Sequence, residues 1–278
     1  MQYGFVLPGG DVRTCAELAA EAEAAGWDGV FVPDAINIQG FPIHDPWIVL
    51  AAIAMRTERI RIGPMITPVS RRRPWKLARE TMSLDHVSNG RLILSVGLGA
   101  LDDDGFAKVG EPTDRKIRAQ RLDEGLDILD GLWSGQPFSY QGTHYQVQEL
   151  TFQPPPVQSP RIPIWVVGVW PRQASMRRVL RWDGLLPAKV NDDGSFGTPT
   201  PADIQAMKTF IGEQRAATTP FDIVMEGETP GDDHERAAAM IAPLIDAGIT
   251  WWLEAKWTAP NGPEDLRRRI RQGPPGPR

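Results

Sequence analysis

The chain has 278 residues, 41% of them hydrophobic and 23% charged, with 30 basic side chains against 35 acidic ones and a formal net charge of −5. This balance excludes wholesale disorder and argues against a binder of nucleic acid or of anionic membranes. The single cysteine, Cys15, excludes an intrachain disulfide and fits a reducing, cytoplasmic setting, and no apolar run approaches the roughly 18 residues of a membrane span. The opening MQYGFVLPGGD has neither a basic stretch nor a long apolar core, so it reads as a strand entering a turn rather than as an export signal.

Short β-rich runs alternate with helical patterns. A first strand is expected over 3–7, stopped by Pro8-Gly9-Gly10, then a helix capped by Thr14 with Glu17 three residues on, ending at Gly26. The second strand, 29–33, leads through an irregular stretch to a helix opened by Asp45-Pro46. The third strand is expected over 60–66. Arg71-Arg72-Arg73 and Pro74 then open a helix, and Asn89-Gly90 turns the chain into a fourth strand over 91–96. Gly97-Leu98-Gly99-Ala100, an acidic loop and a long helix over about 114–133 follow. Residues 134–161 break the alternation, with a hairpin signal at 140–145. The pattern resumes with strands at 164–167, 183–186, 221–226 and 249–254, each followed by a helix, and closes on a Pro/Gly-rich tail, 273–278, expected to fray.

Eight strands each followed by a helix predict an α/β fold, a closed (β/α)8 TIM barrel. It forms one domain over 1–272, with an insertion at about 134–161 between the fourth helix and the fifth strand. Strand alternation sends one indole of Trp251-Trp252 inward and the other towards the helices. Barrel catalysis sits at the C-terminal strand ends. The acid/base candidates there are Asp34, Glu226 and Glu228, with Glu254 and the loop residue His44 beside them. Arg71 to Arg73 could meet an anionic tail, Trp170 could touch a ligand, and Arg267 to Arg269 read as a solvated helix face. The four histidines are scattered, and no His-x-His, CxxC or HExxH occurs, so no metal site is expected. Strand ends rich in glycine and aromatics suit a flat cofactor that brings its own chemistry.

Several segments carry a family resemblance: GFVLPGG, AEAAGWDGVFVPD, RLDEGLDILDGLW, PIWVVG, WDGLLP, FDIVMEGETPGDD, AGITWWLE and, most specifically, the block from RIRIGPMITPVS to SNGRLILSVGLGA. The chain resembles the bacterial luciferase-like flavin-dependent oxidoreductases, a group that includes deazaflavin-dependent reductases. The resemblance implies a barrel that binds FMN or the deazaflavin coenzyme F-420 at the strand C-termini. It places Met65, Ile66 and Thr67 against the ring system, at a segment that often holds an unusual cis peptide. It puts Gly97, Leu98 and Gly99 along the ring or phosphate side. It implies a phosphate site of backbone amides at Gly168, Val169 and Trp170, with Arg172 and Ser175, assisted by Arg118 or Arg121 of the long helix. Asp34 falls where the group is commonly acidic, but Ala35 follows it where some members have a histidine, a departure from the sugar-phosphate reductase type.

The first reading is therefore a monooxygenase that uses reduced FMN and oxygen on a small organic substrate, with a separate flavin reductase as a possible partner. The alternatives are a deazaflavin-dependent hydride-transfer reductase or dehydrogenase and a non-catalytic flavin-binding barrel. A homo-oligomer is expected, and no nucleic-acid or membrane partner.

Overall fold

In the computed structural model, residues 1–38, 42–100, 102–259 and 261–275 are described. The chain runs β1 (Gln2–Val6), α1 (Val12–Ala24), β2 (Gly29–Val32), α2 (Pro46–Arg56), β3 (Arg61–Pro64), β4 (Thr67–Pro68), α3 (Pro74–Val87), β5 (Leu94–Gly97) and α4 (Arg115–Trp133). A hairpin follows, β6 (Phe138–Gln141) and β7 (Gln146–Leu150). The second half is β8 (Ile164–Trp170), α5 (Gln173–Val179), β9 (Gly184–Val190), β10 (Phe196–Gly197), α6 (Pro201–Gln214), β11 (Asp222–Gly227), α7 (His234–Ala247), β12 (Trp251–Glu254) and α8 (Pro263–Arg271). The parallel order β3-β2-β1-β12-β11-β9-β8-β5-β4, with a bridge between Ile62 and Leu92, forms a nearly closed TIM-type barrel inside the helices. The expected third strand, 60–66, ends at Pro64; the cis Met65–Ile66 peptide lies between β3 and the short β4, and another cis bond, Trp170–Pro171, follows β8.

Several boundaries differ from the sequence reading, each for a local reason. Helix α1 is capped by Asp11 rather than Thr14: its carboxylate accepts the Arg13 and Thr14 amides, and Thr14 becomes a first-turn residue. Pro187, with no N–H to give, reads as a strand end, yet the β8–β9 register continues through Gly168–Pro187 to Trp170–Lys189. Both strands outrun the barrel wall because β10 folds back antiparallel on β9. The hairpin pairs only with itself. The Glu124 carboxylate of α4 accepts the amides of Thr143 (2.9 Å), His144 (2.9 Å) and Tyr145 (3.0 Å), which fixes the hairpin's turn.

Inward side chains fill the barrel from below. Phe31 stacks on Trp165 at 5.4 Å between ring centroids, and Trp251 meets Trp165 edge-on at 5.2 Å. Trp251 points inward and Trp252 joins the outer core between sheet and helices, as strand alternation predicts. Gly29 leaves the room these rings need: a Cβ there would lie 2.9 Å from both the Phe31 and the Trp251 ring.

The arginine run of α8 is a solvated face only in part: Arg268 is exposed, Arg267 half-buried and Arg269 buried. Consecutive helical positions lie about 100° apart, and Arg269 turns to the barrel. It donates to Glu254 (3.2 Å), Thr229 (3.0 Å) and the Gly273 carbonyl (2.7 Å). Glu254, itself buried, also accepts the Thr229 amide and hydroxyl. The tail is thereby held as far as Pro275, which is buried; residues 276–278 lie outside the described residues.

A second buried tie joins the loops after β2, β4 and β5. Asp34, its side chain 0% exposed, accepts from Thr67 (2.8 Å), Arg71 (3.2 Å) and Arg72 (2.7 Å). Arg71 continues to Asp103, which also accepts the Ile36, Asn37 and Gly105 amides. Burial alone would raise the Asp103 carboxyl, but the Gly105 and Asn37 amides and the Arg71 guanidinium outweigh it and hold it below the usual carboxylate range.

Two stability outcomes follow from this packing. Gly29→Ala should cost about 1–3 kcal/mol, the range for overpacking a filled core. Asp34→Asn should cost about 3 kcal/mol, because it leaves buried guanidinium groups short of a counter-charge. Urea or guanidinium melts read both, and an unchanged midpoint would remove the corresponding constraint.

Candidate functional site

The C-terminal mouth of the barrel holds a chamber of about 430 Å³. Its floor and walls come from inward positions of the strands and the segment between β3 and β4: Met65, Ile66, Val167, Leu186 and Val224. The β9–β10 hairpin closes one side with Phe196 to Pro199, and Trp257, just beyond β12, closes another. Glu226 is the one ionisable side chain among the described lining residues. It is exposed to the chamber yet crowded by protein, and this burial raises its carboxyl above the usual range. The nearby Trp257 side chain offsets part of the rise.

The chamber continues into a groove of about 260 Å³ that shares Ile66, Val167, Ala188 and Phe196 with it. The groove passes over Gly97, Leu98 and Gly99 and reaches Arg115, Ser175 and Arg178 at its outer end. Arg178 is paired with Asp123, whereas Arg115 makes no ion pair among the described residues. A Cβ on Gly97 would stand 2.6 Å from Ile66 Cδ1 and 3.0 Å from Val167 Cγ2, so the glycine keeps open the passage between chamber and groove. An apolar chamber joined to a groove that also carries cationic and hydroxyl groups fits a ring system that carries an anionic tail.

The structure brings together part of the predicted set. Met65, Ile66, Gly97, Leu98, Gly99, Val169, Ser175 and Glu226 line the chamber or the groove. Thr67 does not; it is buried against Asp34. Asp34 is withdrawn into its arginine pair and lines neither space; its bonds tie the loops after β2 and β4 together. Glu228 is exposed on the rim and lines neither space.

The corrections on β8 have one cause. The strand runs three residues beyond its expected end, to Trp170, so alternation governs Gly168 and Trp170 as well. Val167 and Val169 face inward. Gly168 faces the helices, where a Cβ would lie 2.5 Å from Leu185 and 2.8 Å from Val179, so any side chain there would break packing. Trp170 packs edge-on against Phe210 of α6 at 6.0 Å, and Arg172 is exposed at the start of α5, away from the groove. Ser175 accepts the Val169 amide at 2.9 Å.

On α4, Arg121 pairs with Glu111 at 3.1 Å and does not line the groove. Arg118 lies 3.8 Å over the Phe106 ring and donates to the Leu98 and Gly99 carbonyls, so it braces the turn after β5. The lining arginine is Arg115, three residues before Arg118 and seven before Leu122, which also lines the groove. This helical spacing is readable in the sequence. Arg71 and Arg72 are spent on acids. His44 lines a separate crevice beside Cys15, whose thiol burial pushes up to about 11. Among the described residues no group of three or more His, Cys, Asp or Glu could hold a metal, and no helix is long and apolar enough to cross a membrane.

Comparison with known proteins adds to this geometry. The chain is 34% identical over 154 residues to the "F420-dependent glucose-6-phosphate dehydrogenase" of Microbacterium testaceum, a match that spans 52% of this chain and 44% of that protein. It is 30% identical over 292 residues to the protein of the same name from Amycolatopsis mediterranei, covering 85% of this chain and 86% of the relative. Among solved structures, an "F420-dependent secondary alcohol dehydrogenase in complex with an F420-acetone adduct" superposes with a TM-score of 0.78 over 97% of both chains, at 16% identity, which shows a shared fold. The model of the luciferase-like monooxygenases matches residues 2–253. By that match the chain belongs to the luciferase-like monooxygenase family and is an oxidoreductase of that class.

Proposed function

We propose that the protein is a deazaflavin-dependent oxidoreductase that interconverts a neutral alcohol and its carbonyl compound. This replaces FMN-dependent oxygenation as the first reading. The observation that carries it is the continuous path from an apolar chamber to a groove ending at Arg115, Ser175 and Arg178. A long anionic tail has a route there and an unpaired cation at its end. The two dehydrogenase relatives, both named as F420-dependent, support the same choice.

When bound, a deazaflavin supplies two-electron hydride chemistry. The chain supplies orientation, exclusion of water and a proton site. Met65, Ile66, Val167 and Val224 present an apolar surface that keeps water from the reacting carbon. Glu226 is placed to take the hydroxyl proton of an alcohol as its carbon loses hydride, and to return that proton in the reverse direction. Its raised carboxyl makes it a stronger proton acceptor than an ordinary carboxylate. The substrate is read as neutral because a phosphate in this chamber would face Glu226 with no cation among the lining residues. Ala35, where a sugar-phosphate type would carry histidine, agrees.

Fluorescence titration of the purified chain should show F-420 binding at least tenfold more tightly than FMN, with Arg115→Ala weakening F-420 about tenfold, equivalent to ~1.4 kcal/mol. Tighter binding of FMN would return the protein to the oxygenase reading. Turnover of small secondary alcohols, followed by the loss of deazaflavin absorbance near about 420 nm, should fall about a hundredfold in Glu226→Gln. The parent rate should rise as pH passes upward through the raised Glu226 value, since the base must be deprotonated. The variant should lack that limb. A variant that keeps the limb would assign the proton to another group.

A further inference from the structure

A second cavity of about 400 Å³ lies between the turn after β1 and the start of α8. Pro8, Gly9, Pro42, Thr258, Ala259 and Leu266 form much of its wall, and no charged side chain lines it among the described residues. The cofactor path does not use it, for the groove leaves the chamber towards α4 and α5. Trp257 is the residue, among those described, that belongs to the walls of both the chamber and this cavity. Its backbone is pinned: the Trp257 amide donates to the Ala255 carbonyl at 3.1 Å, and the Ala255 amide donates to Gly227 at 2.8 Å. The indole packs against the inner cluster of the barrel, and both Trp257 and Glu226 line the chamber. The residue common to both walls thus sits on a fixed backbone, close to the proposed proton site.

We propose that the second cavity is a binding site for the apolar end of the substrate, and that Trp257 is the specificity-determining residue that sets how far a substrate extends from Glu226. The proposal rests on the reading of the chamber as the place where a neutral alcohol reacts. An uncharged, largely apolar cavity admits a hydrocarbon chain and rejects a sugar or a phosphate, since either would leave polar groups without partners.

The test uses the series from 2-propanol to 2-decanol. Binding is measured by calorimetry on the full chain without cofactor, and kcat/KM on the loaded enzyme. In the parent, affinity should climb with chain length and then level off once the chamber is full. In Trp257→Ala it should go on climbing beyond that length, by about fourfold per added methylene. Trp257→Leu keeps more of the packing and should extend the climb by fewer carbons, so the outcome does not depend on one variant folding. Thr258→Trp added to Trp257→Ala refills the cavity and should restore the levelling. A plateau at the same length in the parent and both Trp257 variants overturns the role given to Trp257. So does a climb that Thr258→Trp leaves unchanged. Alcohols that bind none of these proteins overturn the substrate class itself, and the role of Trp257 with it.

Discussion

Three large rings occupy the lower half of this barrel, and the placement of everything above them depends on that filling. Phe31, Trp165 and Trp251 pack against one another inside the barrel, their ring centroids 5.2 to 6.1 Å apart. Strands can close around them because small residues face them; a Cβ on Gly184, like one on Gly29, would run into a ring, here Trp165 at 2.3 Å. At the N-terminal end the Trp165 indole donates to Asp222 at 3.1 Å, and burial lifts that carboxyl above its usual range. The plug gives the chamber a floor. Aliphatic positions one layer up, such as Leu186 and Val224, then become its walls.

Charge at the rim is mostly paired and turned away from the chamber. Asp34 and Asp103 quench Arg71 and Arg72, Glu254 quenches Arg269, and Asp123 quenches Arg178. These pairs join segments far apart in sequence and hold the strand-end loops in one arrangement. Their other effect is subtractive. With the neighbouring charges spent, Glu226 faces an apolar space almost alone, the condition under which a carboxyl keeps its proton to higher pH.

The barrel was readable from the sequence because each strand and each helix carries its own period and its own end signals, such as Asp45-Pro46 before α2 and Asn89-Gly90 before β5. The site was readable only where a residue's direction is set by the chain around it. Gly97 to Gly99 and Met65-Ile66 sit in turns that any reading places at the barrel mouth. Gly168 and Trp170 were misplaced because strand length, unlike strand existence, is decided by a tertiary event, the return of β10 onto β9. Asp34 stands at a strand end like a catalytic group, and only the folded loops bring Arg71 and Arg72 onto it. Arg269 looked solvated because a run of like charges hides the single position that a helix turns inward. Trp257 lies only three residues past β12, and it stood out only once the chamber wall was in view.

The hairpin of β6 and β7 shares no strand pairing with the barrel. It can lengthen or shorten without shifting any register in the main sheet, so it is a place where insertions are cheap over evolutionary time. It is nevertheless anchored to Glu124, on the helix whose first turn presents Arg115 to the groove. A change in the hairpin's length would pull on that helix, and the outer end of the groove would feel it. Divergence in a segment remote from the chemistry can thus retune which tail the protein holds, while the barrel beneath stays as it was.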